Sequence, residues 1–174
     1  MVEQTYRKLQ QYSMHKVFLG IGGNIGNKPA NFKKAEDLIQ SRLGNIENKS
    51  SVYEAPPWGF HAEEKFWNTI FVIQTKFAPD ELLWRIHEIE DQFKKQKGTE
   101  RFRSREMDID ILYFDDIFME NDLLIIPHPQ IQNRKFVLVP LVEIAPDLKH
   151  PLLRLTNLQM LENCRDESVI KKLK

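Results

Sequence analysis

The sequence predicts an α+β fold in which helices pack on one face of a mainly antiparallel sheet. Three observations lead there. Apolar runs at 16–21, 67–77 and 107–114 have the length and composition of strands. Only two or three stretches carry helical periodicity. The two kinds of segment also interleave without the repeating strand–helix unit that a doubly wound parallel sheet requires.

The first strand, residues 16–21, meets Gly22, Gly23 and Asn24 and is expected to enter a turn there. A helix follows, capped by Asn27 or Asn31, with Phe32, Ala35, Leu38 and Ile39 as its buried stripe and an end near Gly44. Residues 50–53 read as a strand. The prolines of Ala55-Pro56-Pro57-Trp58-Gly59 cannot continue a ladder, so a loop is expected from Glu54 to Lys65. Residues 67–77, rich in Thr, Ile, Val and Phe, form the next strand.

Residues 79–97 give the clearest helix. Pro79 suits its first turn, Asp80 and Glu81 its positive end, and Lys94, Lys95 and Lys97 its negative end before Gly98. Its apolar stripe is Leu82, Leu83, Ile86, Ile89 and Phe93. Glu90 borders that stripe and could face the sheet, although spacing alone favours pairing with a lysine. After the strand at 107–114, residues 123–126 are short and apolar, and a structured segment runs over 136–141.

A chain of 174 residues fits one domain, with a polar N-terminal extension (1–15) and a C-terminal tail (152–174) expected to be helical. Lysine plus arginine (25) balances aspartate plus glutamate (25), so there is no global basic field and a nucleic-acid partner is disfavoured. Cys164 is the sole cysteine, which excludes an intrachain disulfide or a thiolate metal cluster. The first residues lack a signal-peptide core and no run is long enough to span a membrane, so a cytoplasmic protein with no membrane partner, and a monomer, is expected.

The segment with most chemistry is Arg101-Phe-Arg103-Ser-Arg105-Glu-Met-Asp108-Ile-Asp110-Ile-Leu-Tyr-Phe114. Strand alternation puts Asp108 and Asp110 on one face, about 7 Å apart at Cα, and Met107, Ile109 and Ile111 on the other. Two carboxylates so close raise each other's pKa unless a cation lies between them. Hard oxygen ligands with no nearby Cys favour Mg²⁺ or Mn²⁺, and Mg²⁺ is usually held by only one or two carboxylates and phosphate oxygens. The arginines then read as phosphate clamps. A solvated acid pair matched by those arginines is the bland alternative, and the two stand about even on this segment alone.

Other tracts narrow the choice. Gly20, Gly22, Gly23 and Gly26 do not fit the dinucleotide fingerprint, and no P-loop exists, so the glycines read as a tight turn. Pro56, Pro57, Trp58 and Phe66 suggest a rigid aromatic clamp for a flat ring, with Asn68 able to donate and accept at its edge, whereas Trp67 reads as core. His128, between two prolines and followed by Arg134, could bind a phosphate or sugar. No recognisable Ser-His-Asp or Cys-His arrangement supports nucleophilic catalysis.

Together the Gly-Gly-Asn turn, residues 53–59, Asn68, Glu90, Arg105-x-x-Asp108-x-Asp110, Pro127-His128, Asn133-Arg134 and Phe136 resemble the 6-hydroxymethyl-7,8-dihydropterin pyrophosphokinase family in order and spacing, over about residues 17–151. The resemblance implies a ferredoxin-like α+β fold with additional elements, and transfer of the terminal diphosphate of ATP to the pterin alcohol in folate biosynthesis. It implies two Mg²⁺ ions at Asp108 and Asp110, and a pterin held by Pro56, Pro57, Trp58, Phe66, Asn68 and Phe136. It further implies an ATP site at Glu90, Lys97, Arg105, Ile111, His128 and Arg134, with Arg105 and Lys95 stabilising charge during transfer. The chain departs from the family where Arg101-Phe102-Arg103-Ser104-Arg105 replaces the usual Arg-Trp-Gly-Pro-Arg, and where Lys95 and Lys97 replace common arginines. Two other readings stay open: a binding module of this fold without turnover, and an interaction protein with a solvated acid pair.

Overall fold

The computed structural model describes residues 14–59, 63–93 and 106–173. The expectations for Lys94, Lys95, Lys97, Gly98 and the tract from Arg101 to Arg105 lie outside the described residues. In chain order the elements are β1 (His15–Gly23), α1 (Lys28–Arg42), β2 (Asn45–Lys49), β3 (Tyr53–Ala55), β4 (Phe66–Thr75), α2 (Pro79–Glu90), β5 (Asp108–Phe114), β6 (Met119–Glu120), β7 (Ile125–Ile126), α3 (Lys135–Ile144), α4 (Asn157–Asn163) and β8 (Lys171–Lys172).

The main sheet runs β5-β1-β4-β3-β8, with β2 beside β3 along the same edge of β4. All its pairings are antiparallel. The βαββαβ core, with β1 between β4 and β5, is ferredoxin-like. A small β6–β7 hairpin, α3, α4 and β8 are the additions.

Helices cover both faces of the sheet rather than the one expected. Val17, Leu19, Ile21, Phe71, Ile73, Ile109 and Ile111 pack with Phe32, Ala35 and Ile39 of α1 and Leu82, Ile86 and Ile89 of α2. On the other face Phe18, Ile70, Val72, Leu112 and Tyr113 pack with Val137, Leu138 and Leu141 of α3 and Met160 of α4. The central strands are apolar on both sides, so each side needs a cover.

Local chemistry accounts for the remaining differences. β1 does not stop before the glycines: its ladder to β4 continues through Gly23 and its ladder to β5 through Gly22. Asn27 is the α1 cap, its Oδ1 accepting the Ala30 N–H at 3.1 Å. The strand expected at 50–53 is displaced to either side, because Ser50 breaks the ladder. Its N–H donates to the Ile70 carbonyl, and its Oγ, in place of a backbone carbonyl, accepts the Ile70 N–H, both at 2.9 Å. β3 therefore includes Glu54 and Ala55, and the loop begins only at Pro56. The α-helix α2 ends at Glu90 and passes into a 3₁₀ turn, Asp91–Phe93, where the helix was expected to continue; the rest of that expected helix, 94–97, lies outside the described residues. The segment at 136–141 is the helix α3. In the tail, a Thr156/Gln159 capping box opens α4, and the chain then extends until β8 pairs with β3. No helix among the described residues is long and apolar enough to cross a membrane.

Candidate active site

The register of three strands builds the floor of the site. Asp108 pairs with Gly22 and Asp110 with Gly20. On the far side of β1, Gly22 pairs with Asn68 and Gly20 with Ile70. Asp108–Gly22–Asn68 and Asp110–Gly20–Ile70 are thus two adjacent rows across one sheet face. Strands lie about 4.8 Å apart, so each carboxylate is separated from the β4 side chain by about 10 Å of glycine backbone. The missing side chains leave a trough. A Cβ on Gly22 would lie 3.2 Å from Asn68 Oδ1, and one on Gly20 3.4 Å from the Leu112 side chain.

Pro56, Trp58, Phe66, Arg134, Phe136 and Val137 wall this trough. The Trp58 and Phe136 rings meet edge to face with centroids 6.3 Å apart. The Arg134 guanidinium lies 5.1 Å from the Trp58 ring centroid and 5.8 Å from that of Phe136. Its Nη1 reaches to 3.7 Å from Asp110 Oδ2. One end of the pocket is therefore aromatic and the other acidic, with a cation between them. Asn68 is buried, and its Nδ2 has no hydrogen-bond partner among the described residues. A buried amide donor costs about 1–3 kcal/mol if left unmade, so an acceptor on a bound ring would relieve it.

The bland alternative for the acid pair placed it among Arg101, Arg103 and Arg105, which lie outside the described residues; here Arg134 approaches Asp110. The donor chemistry fits a hard cation. Asp108 and Asp110 offer only oxygen, and no group of three or more His, Cys, Asp or Glu that could hold a metal converges among the described residues. Mg²⁺ tolerates such a sparse protein shell when water and phosphate oxygens complete it.

Glu90 points at the sheet, its Oε1 accepting the Ile109 N–H at 2.8 Å, while the neighbouring Lys94, Lys95 and Lys97 lie outside the described residues. Ile111 is 3% exposed and its side chain packs in the core under α1 and α2. His128 Nδ1 accepts the Gln130 N–H at 3.1 Å, which leaves the ring proton on Nε2. Burial, and secondly the Arg134 charge, push the His128 pKa down to about 4. With no bound anion beside it, this ring is neutral at pH 7 and donates through Nε2. Pro57 stands off the pocket lining, and Trp67 packs its ring against Phe32 at 5.9 Å beside the core, as expected. The lining also contains Gly20, Gly22, Thr69, Ile70, Leu112 and Val137, which sequence reasoning did not assign to the site. For the glycines a signal existed: Gly20 and Gly22 alternate with the apolar Leu19 and Ile21.

Comparison with known proteins places these features. The family model described as 7,8-dihydro-6-hydroxymethylpterin-pyrophosphokinase matches residues 18–146. The chain is 38% identical over 143 residues to an Aquifex aeolicus 2-amino-4-hydroxy-6-hydroxymethyldihydropteridine pyrophosphokinase, covering 81% of this chain and 87% of that one. It is 35% identical to the Methylorubrum extorquens protein of the same name, covering 78% of this chain and 85% of the other. It is 34% identical to the Dictyostelium discoideum folic acid synthesis protein FOL1, but spans only 22% of that protein's length. A Plasmodium falciparum HPPK-DHPS crystal structure superimposes with a TM-score of 0.73 at 19% identity, over 90% of this chain and 46% of that one. That likeness bears on the fold alone.

Proposed function

From membership of the 7,8-dihydro-6-hydroxymethylpterin-pyrophosphokinase family, to which this chain belongs, we propose that the trough over Gly20 and Gly22 is where ATP and pterin meet. The reaction is pyrophosphoryl transfer from ATP to hydroxymethyldihydropterin in folate synthesis. The observation that carries the proposed placement is the row Asp108–Gly22–Asn68, which sets a carboxylate and an unsatisfied amide donor on one face of the same pocket.

The pterin ring lies between Trp58, Phe66 and Phe136, its heteroatom edge meeting Asn68. The triphosphate lies over Asp108 and Asp110. Two Mg²⁺ ions bound there supply charge neutralisation at the phosphates. Arg134, already within 3.7 Å of Asp110, is available to the phosphate that arrives between them. His128 donates through neutral Nε2, and the ATP-site roles of Lys95, Lys97 and Arg105 are those the family resemblance implies. The pterin hydroxyl attacks the β-phosphorus, the new O–P bond forms as the α–β bridging bond breaks, AMP leaves with the electron pair, and the hydroxyl proton is released to solvent. Positioning and charge would account for the rate, since Asp108 and Asp110 would be engaged as ligands whenever metal is bound. A monomeric cytoplasmic enzyme is part of the same reading.

Incubation with ATP, Mg²⁺ and 6-hydroxymethyl-7,8-dihydropterin, followed by separation of the nucleotides, tests it. AMP formed only when pterin is present is the expected result. ADP in its place would mean transfer of one phosphoryl group. Neither nucleotide from a folded preparation would mean a binding module without turnover.

A further inference from the structure

The family match ends at residue 146, yet the chain beyond α4 runs back alongside the segments that carry Trp58 and Phe136. It bonds to the chain next to each of these two walls. At one wall, α3 begins with Arg134 as its N-cap residue and Phe136 in its first turn, and Arg134 makes no side-chain cap hydrogen bond. The cap comes from the tail: Asp166 Oδ2 accepts the Lys135 N–H at 3.1 Å, and Asp166 Oδ1 accepts the Ser168 N–H at 2.9 Å. At the other wall, β3 leads directly into Pro56 and Trp58, and β8 pairs with it, Lys172 opposite Tyr53 and Lys171 opposite Glu54. The Leu173 N–H adds a bond to the Val52 carbonyl at 2.9 Å. A third tie joins the two sides: Lys172 Nζ meets Glu143 Oε1 of α3 at 2.8 Å, and the Glu143 carboxylate accepts the Ser51 N–H at 2.7 Å and its Oγ–H at 2.8 Å.

We infer that residues 164–173 form a strap that sets the spacing between the Trp58 and Phe136 walls, with Asp166 as its positioning residue. Asp166 contacts no reacting atom in this reading. It acts through the Lys135 N–H, one residue from Arg134 and one from Phe136. The strap holds the rings at their 6.3 Å separation by joining the start of α3 to β3, in addition to the direct Glu143–Ser51 bonds farther along that helix. Ordinary capping explains a gain in helix stability, but not why the same short segment also pairs with the strand that carries the opposite wall.

The inference rests on the reading of Trp58 and Phe136 as pterin walls, and the test separates the two. Pterin is titrated calorimetrically into full-length wild-type, Trp58→Ala, Asp166→Ala, Asp166→Asn and Glu143→Gln proteins, with Mg²⁺ and α,β-methylene ATP present. Thermal melts and the KM values of both substrates are measured alongside. Loss of one cap bond is expected to raise the pterin Kd of Asp166→Ala roughly fivefold to tenfold. Its KM for ATP should change less than twofold, with cooperative melting retained. Asp166→Asn keeps an acceptor oxygen and should recover most of the affinity, and Glu143→Gln should weaken pterin binding in the same direction. If Trp58→Ala binds pterin as wild type does, the wall assignment falls. If Trp58→Ala weakens binding while Asp166→Ala and Glu143→Gln do not, the strap falls. Equal losses for pterin and ATP in Asp166→Ala would also overturn it, because they would reduce the residue to general stability; should that variant fail to fold, Glu143→Gln alone decides.

Discussion

Adding a single methyl group at Gly22 should separate ligand affinity from stability. Gly22 sits in strand backbone without positive φ, so alanine is compatible with the local conformation. Removing the glycine lowers the entropy of the unfolded chain and is worth about 0.4–1 kcal/mol to the fold where no clash follows. The new Cβ would stand 3.2 Å from Asn68 Oδ1, so the amide must retreat by a few tenths of an ångström. Asn68 is buried, so the amide makes room chiefly by rotating, which also re-aims the unpartnered Nδ2. A hydrogen bond lost or bent in this way costs a net ~0.5–1.5 kcal/mol. That corresponds to a roughly twofold to twelvefold rise in pterin Kd. Pterin titration in the presence of Mg²⁺ and α,β-methylene ATP, with a thermal melt on the same samples, measures both quantities. Gly22→Ala should melt within a few degrees of wild type and bind pterin more weakly. Wild-type affinity in Gly22→Ala, beside a weakened Asn68→Ala control, would refute the idea that the bare strand sets the Asn68 amide in place.

Three further perturbations address the acid pair, the histidine and the sheet. Asp110→Ala should lose turnover by orders of magnitude while keeping its fold, since that side chain is 41% exposed; near-normal turnover by the folded variant would remove the metal assignment. His128 has a folded pKa near 4 against 6.5 when unfolded, so its neutral form stabilises the protein fully above pH 6.5 and that contribution is lost as pH falls toward 4. Metal-free urea unfolding at pH 7 and 4.5 should show a drop of order 1–3 kcal/mol that His128→Gln lacks, and an identical drop in the variant would contradict the assignment. Ser50→Ala leaves the Ile70 N–H without its 2.9 Å acceptor beneath the pocket and should cost about 1–3 kcal/mol in urea; no measurable change would mean that another acceptor replaces Oγ.

How much of this was legible in the sequence depends on how far each residue's partner lies along the chain. The strands at 15–23, 66–75 and 108–114, the cap at Asn27 and the helix opening at Pro79 are signalled by neighbours within a turn or a strand's length. The shared face of Asp108 and Asp110 needs only the period of two. Glu90 was ambiguous because its spacing offered lysines nearby, whereas the bond that orients it comes from Ile109, across the edge of the sheet. Asp166 and the Lys171–Lys172 strand carry no local pattern, and their partners are Lys135 and β3. His128 was read as a phosphate ligand from its prolines, but its charge state follows from burial, which no motif reports.

Gly20 and Gly22 show why the site was harder to see than the fold. Their role depends on register, and a slip of one residue between β1 and β5 would turn both carboxylates toward the core under α1 and α2. The pairing is regular from Leu19–Ile111 to Gly22–Asp108, and its one irregularity falls between Phe18 and Leu19, below the site. That bulge lets Leu112 and Tyr113, adjacent in sequence, both join the core under α3 and α4. Beyond it, Asp110 and Asp108 face the trough in strict alternation. The apolar residues on both sides of β5 therefore hold the register, and the register places the two acids beside bare glycine backbone, where no side chain fills the trough.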